Sequence, residues 1–294
     1  MKYILLKRIK IIILILLFSC KLTLILQAKN VVFDLGGVLF HTKTPISMLC
    51  KQLSITTLVA YMLHPHTTKY NIKGKMLAFL DKIKERTQEH NCIDLPVDDQ
   101  GNLLPLIMHE WLAGSVTSHE AITHIRKFAK QNPTLFNCAI ERKLMLAIMH
   151  FIFNPNTFAQ TQQIHPDALK IVQKLKKDGY KIYILSNWDK ESFVLIQEKH
   201  KELFTLFDGI MISGEEGMVK PSSCFYKAFL NKYNLDPKSC IFIDDQKTNI
   251  IAAQTIGMNG FVCPYFKKKL FLKRTANLLA AYKKIIAFNN DHTL

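Results

Sequence analysis

The sequence predicts an α/β protein: a doubly wound, parallel, Rossmann-like sheet core with an all-helical cap inserted after the first strand. Three observations predict it. Short apolar runs at 31–33, 181–185 and 240–244 are continuous rather than alternating, as expected of strands covered on both faces. From residue 165 onward such runs alternate with stretches of helical period, the pattern of right-handed βαβ crossovers. Between about 45 and 163 the period is helical throughout. With 294 residues, 49% of them hydrophobic and 21% charged, the chain is long enough to bury a sizeable core.

Residues 1–28 stand apart from the rest. Lys2, Lys7, Arg8 and Lys10 precede an apolar run from Ile11 to Phe18 that resumes over Leu22 to Leu26, and Ala28 is a small residue suited to cleavage. That is the layout of a signal peptide, so export to a periplasmic or secreted location is expected, with a membrane anchor over 9–26 as the alternative. An uncleaved span would leave only two or three residues before the strand that starts at Val31, each reaching at most about 3.5 Å. Crowding of that kind favours cleavage.

The first strand carries Asp34 at its end and breaks at Gly36-Gly37. Helices are expected over Ile46 to Met62, Lys75 to Thr87, Leu103 to Leu112, His119 to Ala129 and Ile140 to Phe153. The stretch Asn91 to Asn102 reads as a solvated loop, since Asp94, Asp98 and Asp99 lack the later glutamate of an EF-hand. Strand and helix then alternate: helix Asp167 to Lys177, strand Lys181 to Leu185, helix Lys190 to His200, strand Phe207 to Ser213. Helix Ser222 to Tyr233 follows with Ser222 as its cap, then strand Cys240 to Asp244, helix Lys247 to Ile256 and strand Phe261 to Cys263. The core is therefore expected over 29–44 and 164–264, the cap over 45–163 and a basic C-terminal helix over 265–294.

Seven cysteines include no Cys-x-x-Cys pair and no His/Cys spacing suited to zinc. Cys240 and Cys263 lie in apolar strand surroundings and read as core residues; Cys50, Cys92 and Cys138 are the candidates for pairing in an oxidising compartment. Of the net charge of +16, five cations and no acids fall in the leader, so the rest of the chain carries about +11. Lys267, Lys268, Lys269, Lys273, Arg274, Lys283 and Lys284 crowd the C-terminal segment and interleave with apolar residues at helical spacing. Such a helix either contacts an anionic membrane surface or docks on the core with its lysines solvated. No nucleic-acid module is recognisable, so no nucleic acid is expected as a partner.

Four stretches carry the chemistry. VVFDLGGVLF, 31–40, sets Asp34 at the carboxyl end of a strand, where open α/β sheets bind ligands. KIYILSN, 181–187, ends a second strand on Ser186-Asn187. GMVKP, 217–221, puts Lys220 on a loop. IFIDDQKTN, 241–249, ends a third strand on Asp244-Asp245 with Asn249 one helical turn on. In this order the set resembles the four signature motifs of the haloacid dehalogenase superfamily of hydrolases, closest to the subgroup with a helical cap and the DLGGVL and LSNWD variants. The resemblance spans Asn30 to about Pro264.

The resemblance implies that the Asp34 strand lies between those ending at Ser186 and Asp244. It implies hydrolysis of a small phosphorylated substrate, with sugar phosphates among the substrates of similar proteins, through a covalent aspartyl-phosphate on Asp34. Lys220 and Mg²⁺ would neutralise the dianion, the metal held by Asp34, the carbonyl of Gly36 and Asp245, with Asp244 adjacent. Ser186 would bond a phosphoryl oxygen, helped by backbone N–H groups of Leu35, Gly37 and Asn187. Trp188 would line the crevice mouth or pack on the cap, and Asn249 would orient Asp245 or a metal-bound water.

One position departs from the pattern. Most phosphatases of the family carry an aspartate two residues after the nucleophile, as acid and base, and here that position is Gly36. Three outcomes stay open. A good leaving group, a water or another residue, such as His41 or a cap histidine, stands in for the acid; or Asp34 displaces halide as in a 2-haloacid dehalogenase; or the protein is a catalytically weak or inactive binding protein.

Overall fold

The structure, a computed structural model, describes residues 30–43, 72–83, 103–263, 265–267, 274–276 and 278–291. The leader, the helix expected over Ile46 to Met62 and the loop Asn91 to Asn102 lie outside these residues. So do Cys20, Cys50 and Cys92.

Strand β1 (Asn30–Phe33) leads through a tight turn into β2 (Phe40–Thr42). Among the described residues five α-helices follow, α1 (Ile72–Leu80), α2 (Leu106–Leu112), α3 (Ser118–Gln131), α4 (Ala139–Phe153) and α5 (Pro155–Thr161), and then β3 (Gln162–Ile164). The second half alternates: α6 (Ala168–Lys177), β4 (Lys181–Ser186), α7 (Lys190–Lys199), α8 (Lys201–Phe204), β5 (Gly209–Ile212) and α9 (Ser213–Glu216). It continues with α10 (Ser223–Lys232), β6 (Cys240–Asp244), α11 (Lys247–Thr255) and β7 (Asn259–Val262). The short strands β8 (Tyr265–Lys267) and β9 (Arg274–Ala276) and helix α12 (Leu278–Asp291) close the order.

The main sheet is parallel, in the order β5-β4-β1-β6-β7. Its strands are apolar on both faces because both are covered. Period-2 alternation sends Val31, Phe33, Ile182, Ile184, Ile241 and Ile243 to one face with Ile171, Val172 and Leu175 of α6, Ile196 of α7 and Ile285 of α12. Val32, Tyr183, Leu185 and Phe242 go to the other, against Phe225 and Phe229 of α10 and Ala253 of α11. The central β1 thus has Val31, Val32 and Phe33 wholly buried. Phe33 is level with Ile184 and Ile243 on its neighbours, so the three motif strands end at one edge.

The segment between β2 and β3 packs around a cluster of its own, including Phe79, Leu80, Trp111, Ile125, Met149 and Phe153. It joins the sheet through an antiparallel ribbon in which Phe40 faces Ile164 and Thr42 faces Gln162. This corrects the expectation of unbroken helix to Gln163: three-residue strands are too short to show a period. Other boundaries shift for local reasons. Helix α2 starts at Leu106, not Leu103, because Pro105 is its N-cap residue and a residue before proline is disfavoured in the helix. Helix α3 starts at Ser118, not His119, on a capping box, Thr117 Oγ1 accepting from Glu120 N while Glu120 accepts from Thr117 N. Strand β5 begins at Gly209 rather than Phe207, as Asp208 turns to accept from Ile182 N and pair with Lys176. Ser222 does precede α10, but its hydroxyl makes no capping bond.

The C-terminal segment is not one helix over 265–294. The ribbon β8–β9 comes first, in keeping with the β preference of Tyr265, Phe266 and Thr275. Helix α12 then docks its apolar face, Leu278, Ala281 and Ile285, into the core, Tyr282 Oη donates to Asp178 at 2.8 Å, and Lys283 and Lys284 stay exposed. Among the described residues no helix is long and apolar enough to cross a membrane. Cys240 and Cys263 are buried, and Cys138 is exposed with its sulfur accepting from Glu141 N at the start of α4.

Candidate active site

Asp34 follows β1, anchored by its N–H to the Ile243 carbonyl at 2.9 Å, and is almost wholly buried. The turn after it closes on the Leu35 carbonyl, which accepts from Val38, Leu39 and Phe40. Leu35 buries its side chain in the core and can meet a ligand only through its backbone. Gly37 has φ +74°, and a Cβ there would come within 2.5 Å of Asp245 Oδ2, so glycine is needed both for the left-handed backbone and for the approach of that carboxylate. At Gly36 a Cβ would meet only Trp188 Cζ3, at 3.6 Å.

Lys220 is 1% exposed, and its Nζ lies 2.9 Å from Asp34 Oδ1 and 2.7 Å from Asp244 Oδ2. Asn187 holds that loop in place. Its Nδ2 donates to the Lys220 carbonyl at 2.8 Å and its Oδ1 accepts from Lys220 N at 2.7 Å. The Asn187 side chain is thus a clamp on Lys220, and only its backbone could serve a substrate. Asp244 accepts from Lys220, from Gln246 N and, at both oxygens, from Asn249 Nδ2. Asn249 therefore orients Asp244, which corrects the expectation that it orients Asp245. Ser186 Oγ is fully buried and closes no hydrogen bond of regular geometry, although it lies close enough to Asp34 to favour that carboxylate's ionised form. Asn249 Oδ1 is likewise buried without a partner.

Burial is the largest influence on Asp34 and pushes its pKa up; Lys220 opposes this, Asp244 adds to it, and the balance lies at about 6. Burial alone would lower Lys220, but Asp244 and Asp34 overcome it and the ammonium is held above its usual range. Carboxylate oxygens of Asp34, Asp244 and Asp245 lie within 4.8 Å of one another. Three carboxylates against one buried lysine leave a surplus of negative charge, and an all-oxygen donor set is the kind a hard divalent cation takes. The residues present fit Mg²⁺.

Asp34, Lys220 and Asp245 line a cavity of about 320 Å³, with Asp244 buried beneath them. Its lining also carries aromatic side chains: Trp188, with Trp111 on α2 and Phe158 on α5, which no sequence motif marks, beside Leu112. Trp188 lines the cavity and also packs on Phe158, with centroids 5.6 Å apart. The helical segment is pinned over the sheet edge by Ser213 Oγ donating to the Leu112 carbonyl at 2.7 Å and by Ser118 N donating to Glu191 at 2.8 Å. Gly114 approaches Gly214 so closely that a Cβ would lie 2.3 Å from its carbonyl oxygen. Among the described residues no histidine lines the cavity. His41 sits on the ribbon opposite Gln163 and His109 and His150 on helices of the insertion, so none of these takes the place of an acid at Gly36; His64 and His66 lie outside the described residues.

A family model for haloacid dehalogenase-like hydrolases matches residues 28–257. The chain is 39% identical over 107 residues to the sesquiterpene phosphatase astK of Aspergillus oryzae, covering 35% of this chain and 54% of that protein. It is 32% identical over 109 residues to the glyceraldehyde 3-phosphate phosphatase of Pyrococcus furiosus, covering 35% of this chain and 42% of that one. The chain thus spans about half the length of these relatives or less. Among solved structures, a haloacid dehalogenase family enzyme from Bacteroides thetaiotaomicron superposes with a TM-score of 0.51 at 18% identity, covering 83% of this chain and 97% of that one. At that identity the likeness speaks for the fold.

Proposed function

This chain belongs to the haloacid dehalogenase-like hydrolases, and from that premise we propose that it is a Mg²⁺-dependent phosphatase of a small phosphorylated metabolite, with Asp34 as nucleophile. The observation that carries the reading is the Asp34–Lys220–Asp244 cluster. A buried carboxylate at the sheet's edge has a cation 2.9 Å away, held by a second carboxylate, with a buried hydroxyl, Ser186, lacking a regular partner beside it. Phosphatase relatives support the choice of bond, although the substrates they are named for, a sesquiterpene and a triose phosphate, share only the phosphate.

In the first half-reaction an Asp34 oxygen attacks phosphorus and the bond to the leaving oxygen breaks, its electron pair departing on that oxygen. Lys220 offsets the charge repulsion between nucleophile and dianion, and Ser186 Oγ donates to a phosphoryl oxygen. In the second, water attacks phosphorus, releasing phosphate and restoring the carboxylate. Asp34, Asp245 and the Gly36 carbonyl would hold Mg²⁺, with Asp244 beside them; when bound, the metal supplies positive charge against the phosphoryl oxygens. Helices α2 and α5 of the insertion, which line the cavity, act as a cap that excludes water from it.

Hydrolysis of an activated aryl phosphate tests the reading, run with Mg²⁺, with chelator, and with Asp34→Asn. Metal-dependent turnover lost in the variant is the result expected. Turnover that survives Asp34→Asn overturns the proposed nucleophile, and a complete absence of turnover returns the protein to the binding class.

A further inference from the structure

Resting on that reading, we infer that the phosphate ester this site takes is that of a phenol: a flat aromatic alcohol whose ring lies along the Trp111–Phe158–Trp188 row. Two independent features converge on it.

The first is the wall itself. Trp111 and Phe158 have centroids 6.3 Å apart, and Phe158 and Trp188 5.6 Å apart, so the row runs unbroken from the inserted helices to the loop after β4. Both indole N–H groups are spent inside the protein, Trp111 Nε1 on Ser118 Oγ at 3.1 Å and Trp188 Nε1 on Ser192 Oγ at 2.9 Å. Trp111 and Trp188 are each 4% exposed and Phe158 is half-buried, with ring planes tilted by 74° and 48° along the row. What these side chains offer the cavity is therefore a narrow strip of ring surface and edges, suited to tilted or edge-to-face contact with one flat ring. Thr42 and Gln162, also on the lining, hydrogen-bond each other at 3.2 Å, and Gln162 donates again to Thr161 at 3.0 Å. Those two polar side chains are thereby engaged within the protein.

The second is Gly36. A side chain at 36 would point at the Trp188 ring, 3.6 Å from its Cβ. The place where a protonating group would meet the leaving oxygen is bordered by an indole instead. With no acid at position 36, the leaving oxygen departs as an anion and takes its proton from water afterwards. A phenol, with a pKa of about 10 as in tyrosine, does this far more readily than an alkanol, whose pKa is near water's, about 16. The missing acid and the aromatic wall thus call for the same class of alcohol.

The test compares phenyl, 2-naphthyl and hexyl phosphates and glucose 6-phosphate as substrates of the Mg²⁺-loaded protein, with acetyl phosphate as an activated substrate without a ring. The aryl esters should exceed hexyl phosphate and glucose 6-phosphate in kcat/KM by about 10²- to 10⁴-fold, the range an acid supplies. As a readout independent of turnover, 2-naphthyl phosphate should quench the tryptophan fluorescence of Asp34→Asn at lower concentration than hexyl phosphate. Phe158→Leu, at a half-buried position, should narrow the binding advantage of the naphthyl ester by about 3- to 10-fold. Turnover of acetyl phosphate or glucose 6-phosphate with aryl esters no better than hexyl phosphate overturns this inference and leaves the phosphatase standing. No turnover of any of the five overturns both.

Discussion

Replacing Gly36 by aspartate should add an acid and base at a position that has none. The structure permits it: the backbone at 36 is outside the left-handed region, and the new Cβ would make one ordinary contact, 3.6 Å from Trp188 Cζ3. Asp34 is two residues away and Asp245 approaches the adjoining Gly37, and their negative charge raises the pKa of an added carboxyl. General acid catalysis is worth about 10²- to 10⁴-fold, or about 2.7 to 5.4 kcal/mol of barrier, and nearly all of it should fall on substrates with poor leaving groups. The assay is steady-state kcat/KM of Gly36→Asp on hexyl and phenyl phosphates, beside a thermal melt. Hexyl phosphate should gain by that factor and the ratio between the two esters should shrink accordingly. A folded variant that still hydrolyses phenyl phosphate and gains nothing on hexyl phosphate would refute the reasoning that position 36 faces the leaving oxygen.

Gly37→Ala should behave oppositely: its φ of +74° and a Cβ 2.5 Å from Asp245 Oδ2 predict about 1–2 kcal/mol of backbone strain and loss of Mg²⁺-dependent activity, read by melting and by metal titration. Asn187→Ala should release the Lys220 loop by removing two bonds of 2.8 and 2.7 Å; about 1–3 kcal/mol of stability and most of kcat should go together. In chelator, the pH dependence of stability should carry the sign of a raised carboxyl. The Asp34 contribution is fully present below about 3.8 and is lost as pH rises to about 6, and Asp34→Asn should flatten that part of a denaturant-midpoint profile. Thiol labelling of the native protein should mark exposed Cys138 and spare Cys240, whose pKa burial pushes up to about 12.

The parts of the fold that were legible in the sequence are those where one physical demand acts alone. Strands β1, β4 and β6 are covered on both faces, so their apolar runs are continuous, and the polar residue that ends each run marks the sheet's edge: Asp34, Ser186, Asp244. The ribbon of Phe40–Thr42 and Gln162–Ile164 was not legible because three residues carry no period and the partners are 120 positions apart. The motifs mark Asn187 and Asn249 but not the bonds their side chains make, Asn187 with the Lys220 backbone and Asn249 with Asp244 rather than Asp245. Which carbonyl or carboxylate an amide finds depends on how the loop at 217–221 packs against β4 and β6, and no local pattern encodes that. Trp111 and Phe158 were hidden for another reason. An aromatic residue at helical spacing in an apolar helix looks like core, and Trp111 does belong to the insertion's own cluster while also facing the cavity.

Without a base at position 36 to activate water, hydrolysis of the covalent intermediate should be the slow step, so phosphate should accumulate on the enzyme during turnover. Acid quench of the Mg²⁺-loaded protein reacting with phenyl phosphate, followed by peptide mass mapping, should place that phosphate on Asp34, with a burst of phenol of about one equivalent and neither signal in Asp34→Asn. Phosphate found on another residue, or steady turnover that persists in Asp34→Asn, would contradict the assignment of Asp34 as nucleophile.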